Sequence, residues 1–101
     1  MSGCMAFLEV FVEDPVSGSR TTSALIPVHS NLDAASTCQL LVSRYQGTLN
    51  LNPEEYRLYS VEGNDETELQ PDACPQLIRA HWPSLEDGVR RYFAYLRRRH
   101  Q

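Results

Sequence analysis

The first third of the chain alternates apolar and polar residues in the manner of a β-hairpin. In the segment MAFLEVFVE, residues 5–13, aliphatic side chains come at alternate positions, which is the period of a half-buried strand. Pro15 and Gly18 then favour a turn. A β-branched run from Arg20 to Val28 predicts a second strand. Pro27 indicates that this strand lies at a sheet edge, because proline cannot donate a ladder hydrogen bond.

Apolar and small residues then recur at helical spacing. Asp33 is a suitable N-cap because its carboxylate can accept hydrogen bonds from the free amides of the first turn. Gly47 is a suitable C-terminal stop. The spacing therefore predicts a helix over residues 33–46, with one face formed by Ala34, Thr37, Cys38, Leu41 and Tyr45.

Shorter patterns predict the elements of the second half of the chain. Residues 56–61 indicate a third strand and residues 66–69 a short fourth strand. Residues 71–80 contain a helical turn that begins near Pro75, since proline is tolerated only in the first turn of a helix. The last segment, VRRYFAYLRRR, fits both a helix face and a strand, and its periodicity does not separate the two.

The order of these elements predicts an α+β fold. One more strand after the short helix would complete a mixed sheet curled around one main helix, so we assign the last segment to a strand. The resulting ββαββαβ order is the ubiquitin-like β-grasp arrangement. A chain of 101 residues has the size of a single domain, here residues 1–101 with a core of about residues 5–99.

The charge balance and the cysteines exclude several classes of protein. A net charge of −4 argues against general nucleic-acid binding. No apolar run approaches the ~20 residues that a membrane-spanning helix needs, and the first residues lack the basic and apolar regions of a signal peptide. The three cysteines are widely spaced without a CxxC pair, which favours a reducing, cytoplasmic setting over disulfides or a zinc site.

Residue patterns that could support catalysis are weak throughout the chain. Glu54 and Glu55 are adjacent, so their carboxylates point in different directions and suit a turn better than acid–base catalysis. Cys38 falls on the buried helix face, and Cys74 has no evident histidine partner. The glycines are isolated, and the histidines are not spaced as metal ligands. We therefore expect a non-enzymatic module without metal or cofactor, which binds partners by strand addition at its exposed edge.

Two longer motifs occur in the second half of the chain, namely Asn52-Pro53-Glu54-Glu55-Tyr56-x-Leu58 and Leu69-x-x-Asp72-x-x-Pro75-Gln76-x-Ile78-x-Ala80. Upstream of them, Thr37-Cys38-Gln39-Leu40 lies on the predicted helix. Together these patterns resemble the Ras-association domain of the Ras and Rab interactor (RIN) family. The resemblance covers about residues 5–99, which is most of the chain.

The resemblance implies a ubiquitin-like fold whose second, edge strand pairs with a strand of a GTP-loaded Ras-family small GTPase. RIN proteins also carry an SH2 domain and a guanine-nucleotide exchange domain for Rab proteins. The chain would then be the Ras-reading module of a larger cytoplasmic protein. It would contact neighbouring domains and reach membranes through a lipid-anchored GTPase rather than by inserting itself. The implied partner-binding residues are Arg20, Thr21, Thr22, Ser23, Leu25, His29 and Arg44.

In Ras-association domains, basic residues on the first two strands and the first helix meet the acidic switch region of the GTPase. The charges on the corresponding strands of this chain depart from that pattern. Arg20 is the only basic residue there, whereas Glu9 and Glu13 would repel an acidic switch region. Arg44 lies near the far end of the helix, and His29 would add charge only when protonated. The alternative is a ubiquitin-like scaffold that contacts neighbouring domains or a partner other than a GTPase. If binding to a Ras-family GTPase weakens as the salt concentration rises, this would favour the GTPase-binding hypothesis, with Arg20 and Arg44 at the contact.

Overall fold

The computed structural model describes residues 6–28, 32–48, 51–83 and 88–98. In these ranges, two helices and five strands follow one another in the order ββαββαβ, as the sequence predicts. Their bounds are β1 Ala6–Val12, β2 Thr22–Val28, α1 Ala34–Arg44, β3 Tyr56–Glu62, β4 Asp65–Glu68, α2 Pro75–Ala80 and β5 Arg91–Arg97. The ubiquitin-like α+β fold is thereby confirmed. Neither of the described helices is long and apolar enough to cross a membrane.

The five strands form one mixed sheet in the order β2-β1-β5-β3-β4. The β1–β2 hairpin is antiparallel, with Val12 opposite Thr22 at the turn end. The last strand, β5, lies in the middle of the sheet, parallel to β1 and antiparallel to β3. This arrangement leaves β2 and β4 as the two edges, so the edge position expected from Pro27 is confirmed.

The final segment is a strand, β5, and both of its faces are covered. Phe93 and Tyr95 point into the core beside α1, whereas Ala94 and Leu96 are buried on the other face of the sheet. Four consecutive buried residues remove the in–out alternation that normally marks a strand. The helix-or-strand ambiguity of VRRYFAYLRRR follows from this burial.

The main core lies between the sheet and the two helices. Alternate residues of β1 and β2, among them Leu8, Val10 and Ile26, pack against Ala34 and Leu41 of α1. Half-buried side chains of α2 and of the segment that follows it extend this core, and the Trp82 ring stacks on Phe93 with 4.9 Å between ring centroids. Because both helices contribute to this core, the opposite side of the sheet is here called the helix-free face.

Both ends of α1 follow the signals in the sequence. The Asp33 carboxylate accepts a hydrogen bond from the backbone amide of Ser36 at 2.8 Å, as expected of an N-cap. Hydrogen bonding to the charged form lowers the pKa of this carboxyl. Beyond the last helical residue the chain turns through Gly47, whose φ of +85° is strained for any side chain. The predicted helix of residues 33–46 is therefore confirmed and is slightly shorter at both ends.

The helix-free face carries a second, smaller cluster of buried side chains. It consists of Tyr59 and Val61 from β3 and Ala94 and Leu96 from β5, with Phe11 and Tyr92 packed against it. The rings of Phe11 and Tyr92 meet edge to face with 5.3 Å between their centroids. The central strands of the sheet are thus covered on both sides.

Leu40 and Leu41 allow a direct test of which face of α1 carries the stability. Leu41 is completely buried, whereas Leu40 is 41% exposed. Leu41→Ala should lower the free energy of unfolding by about 2–5 kcal/mol, because it removes buried methyl groups and leaves a cavity. Leu40→Ala, the matched control, should cost less than about 1 kcal/mol. Urea denaturation followed by circular dichroism measures both changes, and equal losses would contradict this orientation of the helix.

Three core groups should make the fold sensitive to high pH. Burial raises the pKa values of the Tyr95 and Tyr56 hydroxyls, and it raises the pKa of the Cys38 thiol to about 11. The unfolded chain ionises earlier, near about pH 8.5 for cysteine and about pH 10 for tyrosine. The stability contributed by these neutral groups is therefore complete below about pH 8.5 and is lost as the pH rises through the folded-state values.

Tyr95→Phe tests this linkage. The Tyr95 hydroxyl is buried without a hydrogen-bond partner among the described residues, so its removal should not lower stability at neutral pH. The fall in unfolding free energy between about pH 9 and pH 11 should become shallower, because one raised pKa is gone. Urea titrations across this range measure the slope, and a slope identical to that of the wild type would contradict the role of Tyr95.

Candidate functional site

The free edge of β2 is the best-formed docking site in the described part of the chain. Among the described strands β2 pairs with β1 alone, so the main-chain groups on its other side face away from the sheet. It is seven residues long, and Ser23, Leu25 and Pro27 are exposed on the helix-free face. An extended segment of a partner can pair with such an edge and place its side chains against these residues.

Most of the partner-binding residues implied by the sequence lie together at this edge. Thr22, Ser23 and Leu25 are part of β2, and Thr21 directly precedes it; all four are exposed. Arg44 is separate, on the exposed last turn of α1. His29 lies outside the described residues. Whether these side chains contact a partner stays a prediction.

Arg20 has a different environment from the one expected of a free contact residue. It lies in the loop before β2, and its Nη1 is 2.8 Å from Glu66 Oε2, while its Nε is 3.9 Å from Glu13 Oε1. Because Glu66 belongs to β4, the guanidinium reaches across the helix-free face, away from the β2 edge. A contact between Arg20 and a partner would require this ion pair to open.

The pKa of Arg20 is consistent with this engagement. Partial burial disfavours the charged guanidinium, but the hydrogen bond and the negative charge of Glu66, together with Tyr92, outweigh it and raise the pKa. The sequence shows that Arg20 is the sole basic residue of the hairpin. It does not show that a carboxylate of a distant strand already neutralises it.

Other arginines are also engaged within the domain. The Arg91 Nε donates to Glu62 Oε2 at 2.7 Å, and the Arg79 Nη1 donates to the carbonyl oxygen of Phe7 at 2.9 Å. The Arg90 guanidinium lies over the rings of Phe11 and Tyr92. Looser ion pairs hold Arg97 to Glu55 at 3.8 Å and Arg98 to Glu68 at 3.7 Å. By contrast, Arg44 forms no ion pair with any residue in the described ranges, which leaves its charge available.

Glu54, Glu55 and Cys38, the residues considered for chemistry, have structural surroundings in the described part of the chain. Glu54 and Glu55 lie on an exposed turn before β3, as expected, and Glu55 is near Arg97 rather than near a second acid. No group of three histidine, cysteine or acidic residues in the described ranges is placed to hold a metal ion. The high pKa of Cys38 keeps its thiol protonated, which suits packing rather than nucleophilic chemistry.

A groove of about 560 Å³ runs beside α1. Apolar and uncharged polar residues line it, and none of them is charged. The lining residues are Cys38, Gln39, Val42, Ser43, Gln46, Gly47, Leu51, Pro53 and Tyr95. Burial raises the pKa values of the Cys38 thiol and the Tyr95 hydroxyl in this groove, so both stay protonated at neutral pH, and no charged side chain lines the groove to anchor a ligand. The arrangement of the described residues therefore favours binding through the β2 edge.

A double-mutant cycle on Arg20 and Glu66 tests whether the hairpin arginine is held by β4. Arg20→Gln and Glu66→Gln should each lower the free energy of unfolding, with a coupling energy of about 0.5–1 kcal/mol for this partly exposed pair. The coupling should shrink at high salt because of screening. Urea denaturation of the four proteins gives the value, and additive effects of the two changes would show that the pair does not form in solution.

Comparison with known proteins agrees with this geometry. The Rasip1 RA domain superposes with a TM-score of 0.68 at 18% identity, covering 94% of this chain and 89% of that one, which supports the fold. The Protein sprint of Drosophila melanogaster is 29% identical over 79 residues. That match covers 78% of this chain and 4% of the relative, so the chain spans only a small part of its length. The family model of the Ras association (RalGDS/AF-6) domain matches residues 6–101, and the chain belongs to this family of Ras-family GTPase-binding modules.

Proposed function

We propose that this domain recognises the GTP-loaded state of a Ras-family small GTPase by adding a strand of the GTPase to the free edge of β2. The open, exposed β2 edge carries this proposal. Membership of the Ras-association family supplies the class of partner. The domain performs no chemistry, and its contribution is a rigid edge onto which an ordered segment of the partner docks.

Nucleotide dependence follows from the partner rather than from this chain. The switch segments of a GTPase are ordered by contacts to the γ-phosphate and Mg²⁺ and are released after hydrolysis. A strand edge can pair only with a segment that is already extended or that becomes ordered at a cost in free energy. The GTP-loaded form should therefore bind more tightly to β2 than the GDP-loaded form.

The larger protein is part of the same proposal. The small fraction of Protein sprint that is matched supports a module within a much longer chain. The motifs around Pro53 and Pro75 resemble those of the RIN family, so we place the domain in a Rab guanine-nucleotide exchange factor. Such a protein would be cytoplasmic and would reach a membrane through the lipid anchor of its GTPase.

A scaffold role is the alternative that one observation favours. Arg20 is neutralised internally, so the hairpin offers an acidic switch region little free positive charge. In that case the β2 edge would pair with a neighbouring domain of the parent protein. Binding to a GTPase should depend on the nucleotide that the GTPase holds, whereas pairing with a neighbouring domain should not.

Calorimetric titration of the domain with a panel of Ras-family GTPases, each loaded with a non-hydrolysable GTP analogue or with GDP, separates the two functions. We expect at least one member to bind the domain about tenfold more tightly in the GTP-like state, which is a difference of about 1.4 kcal/mol. Backbone NMR spectra of the complex should show shifts along β2 and little change along β4, the other edge. Absence of binding in both nucleotide states across the panel would favour the scaffold.

Arg44 is the best candidate for a charged contact in this complex. Arg44→Glu should weaken GTPase binding by about threefold to tenfold and reduce its dependence on salt. Arg97→Glu is the matched control, because it makes the same change in net charge on the central strand, where Arg97 is near Glu55. Equal losses in both variants would point to overall charge, and no loss in either would remove Arg44 from the interface.

A further inference from the structure

The hairpin carries an exposed patch beside the β2 edge. Strand register places Phe7 opposite Pro27 and Glu9 opposite Leu25. Alternation directs all four side chains to the helix-free face, because Leu8 and Ile26 between them are buried in the main core. Phe7 is 49% exposed and Leu25 is 54% exposed. These four residues are called the hairpin patch.

The apolar part of the hairpin patch is concentrated rather than scattered. Phe7 and Leu25 are diagonal neighbours across the β1–β2 ladder. The exposed ring of Pro27 lies directly opposite Phe7 and two residues after Leu25, on the same face. The other exposed large apolar residues of the described ranges lie on three separate elements: Val16 in the β1–β2 loop, Leu40 on α1 and Leu77 on α2. Adjacent exposed apolar side chains next to an open edge are typical of a contact surface.

Glu9 gives the hairpin patch its charge. Its Oε2 accepts a hydrogen bond from the Ser23 hydroxyl at 3.2 Å, and it forms no ion pair with any described residue. The neighbouring acidic residue Glu13 differs in this respect, since Arg20 lies 3.9 Å from it. A carboxylate without a cationic partner in the described ranges, set among apolar side chains, attracts a basic group on whatever covers the patch.

We propose that the hairpin patch is the specificity-determining half of the β2 docking site. It selects GTPases whose docking strand presents a basic side chain to Glu9 and an apolar side chain to Phe7 and Leu25. The inference rests on the proposed function, because the same incoming strand that pairs with β2 would lie along this patch. Recognition then depends on apolar contact and on the attraction between Glu9 and a basic residue of the partner. This reverses the pattern implied by the family resemblance, in which a basic hairpin faces an acidic switch region.

Charge argues against two other occupants of the hairpin patch. An anionic lipid surface would be repelled by Glu9 and by the net charge of −4. A second copy of the chain would bring two Glu9 carboxylates onto one shared contact, which is unfavourable for like charges. A basic, partly apolar protein strand complements both components of the patch.

Charge reversal at Glu9 tests the selectivity. The GTP-analogue-loaded panel is ranked by the charge that each member's docking strand carries. Wild-type affinity should rise with the number of basic residues on that strand. Glu9→Lys should weaken binding of the basic members by about fivefold or more and strengthen binding of the acidic members, so that the ranking reverses.

Leu25→Ala tests the apolar component against a closely matched control. Leu77 on α2 is 56% exposed, almost the same as Leu25, but lies off the sheet. Leu25→Ala should weaken GTPase binding by about threefold or more, whereas Leu77→Ala should leave it unchanged. Thermal unfolding of each variant establishes that the fold is intact before titration.

The outcomes distinguish this inference from the proposed function. If GTP-dependent binding is the same in wild type, Glu9→Lys and Leu25→Ala, the hairpin patch is not part of the site, although the GTPase-binding function stands. If no panel member binds in either nucleotide state, both are overturned. Loss of self-association or of binding to anionic vesicles in Leu25→Ala, with GTPase affinity unchanged, would assign the patch to a second copy or to a lipid surface and overturn the inference.

Discussion

The position of β5 between β1 and β3 is the constraint on which the rest of this domain depends. Parallel pairing with β1 and antiparallel pairing with β3 join the N-terminal hairpin to the second half of the sheet. The backbone amide of Glu13 extends this junction by donating to the carbonyl oxygen of Tyr95 at 3.0 Å. Because β5 is the last element, the two halves join through contacts between residues that are distant in sequence, a topology that favours slow folding. Its central place also determines which strands remain as edges.

The two edges that β5 leaves are chemically different. β4 is four residues long and carries three acidic side chains, Asp65, Glu66 and Glu68, which disfavour pairing with another strand. β2 is seven residues long and has Leu25 and Pro27 among its exposed side chains. Strand addition is therefore expected at β2. The same acidic edge supplies the carboxylate that holds Arg20, so the chemistry of β4 also sets the charge that the hairpin presents.

Local sequence patterns predicted the hairpin, the first helix and the edge position of the second strand. The hairpin strands alternate, α1 has an apolar face with a capping aspartate, and the edge position of β2 followed from Pro27; each of these was correct. Periodicity could not assign β5, because its residues are buried on both faces and the alternation disappears. Its assignment came from the order of the other elements, which is information about topology rather than about local propensity.

The candidate site was predictable only in part, and for a different reason. The exposed residues of β2 follow from their position on an edge strand. The state of Arg20 does not, because its partner Glu66 belongs to another strand and is brought near only by the complete sheet. The pairs Arg91–Glu62 and Arg98–Glu68 have the same non-local origin, because each joins residues that are distant in sequence. A count of basic residues in the sequence therefore overstates the positive charge available to a partner.

The pairing of arginines with carboxylates inside the domain limits its long-range attraction for an acidic protein partner. Long-range attraction of an acidic partner needs uncompensated positive charge, but here the net charge is −4 and arginines of the hairpin, of β5 and of the residue after it are near carboxylates of the same domain. Recognition of an acidic partner must then depend on contacts formed after encounter, which act mainly on the dissociation rate. A short strand edge with a small apolar patch gives modest affinity by itself. If the domain is one module of a longer protein, tethering beside other binding modules would raise its effective concentration and make such a contact sufficient.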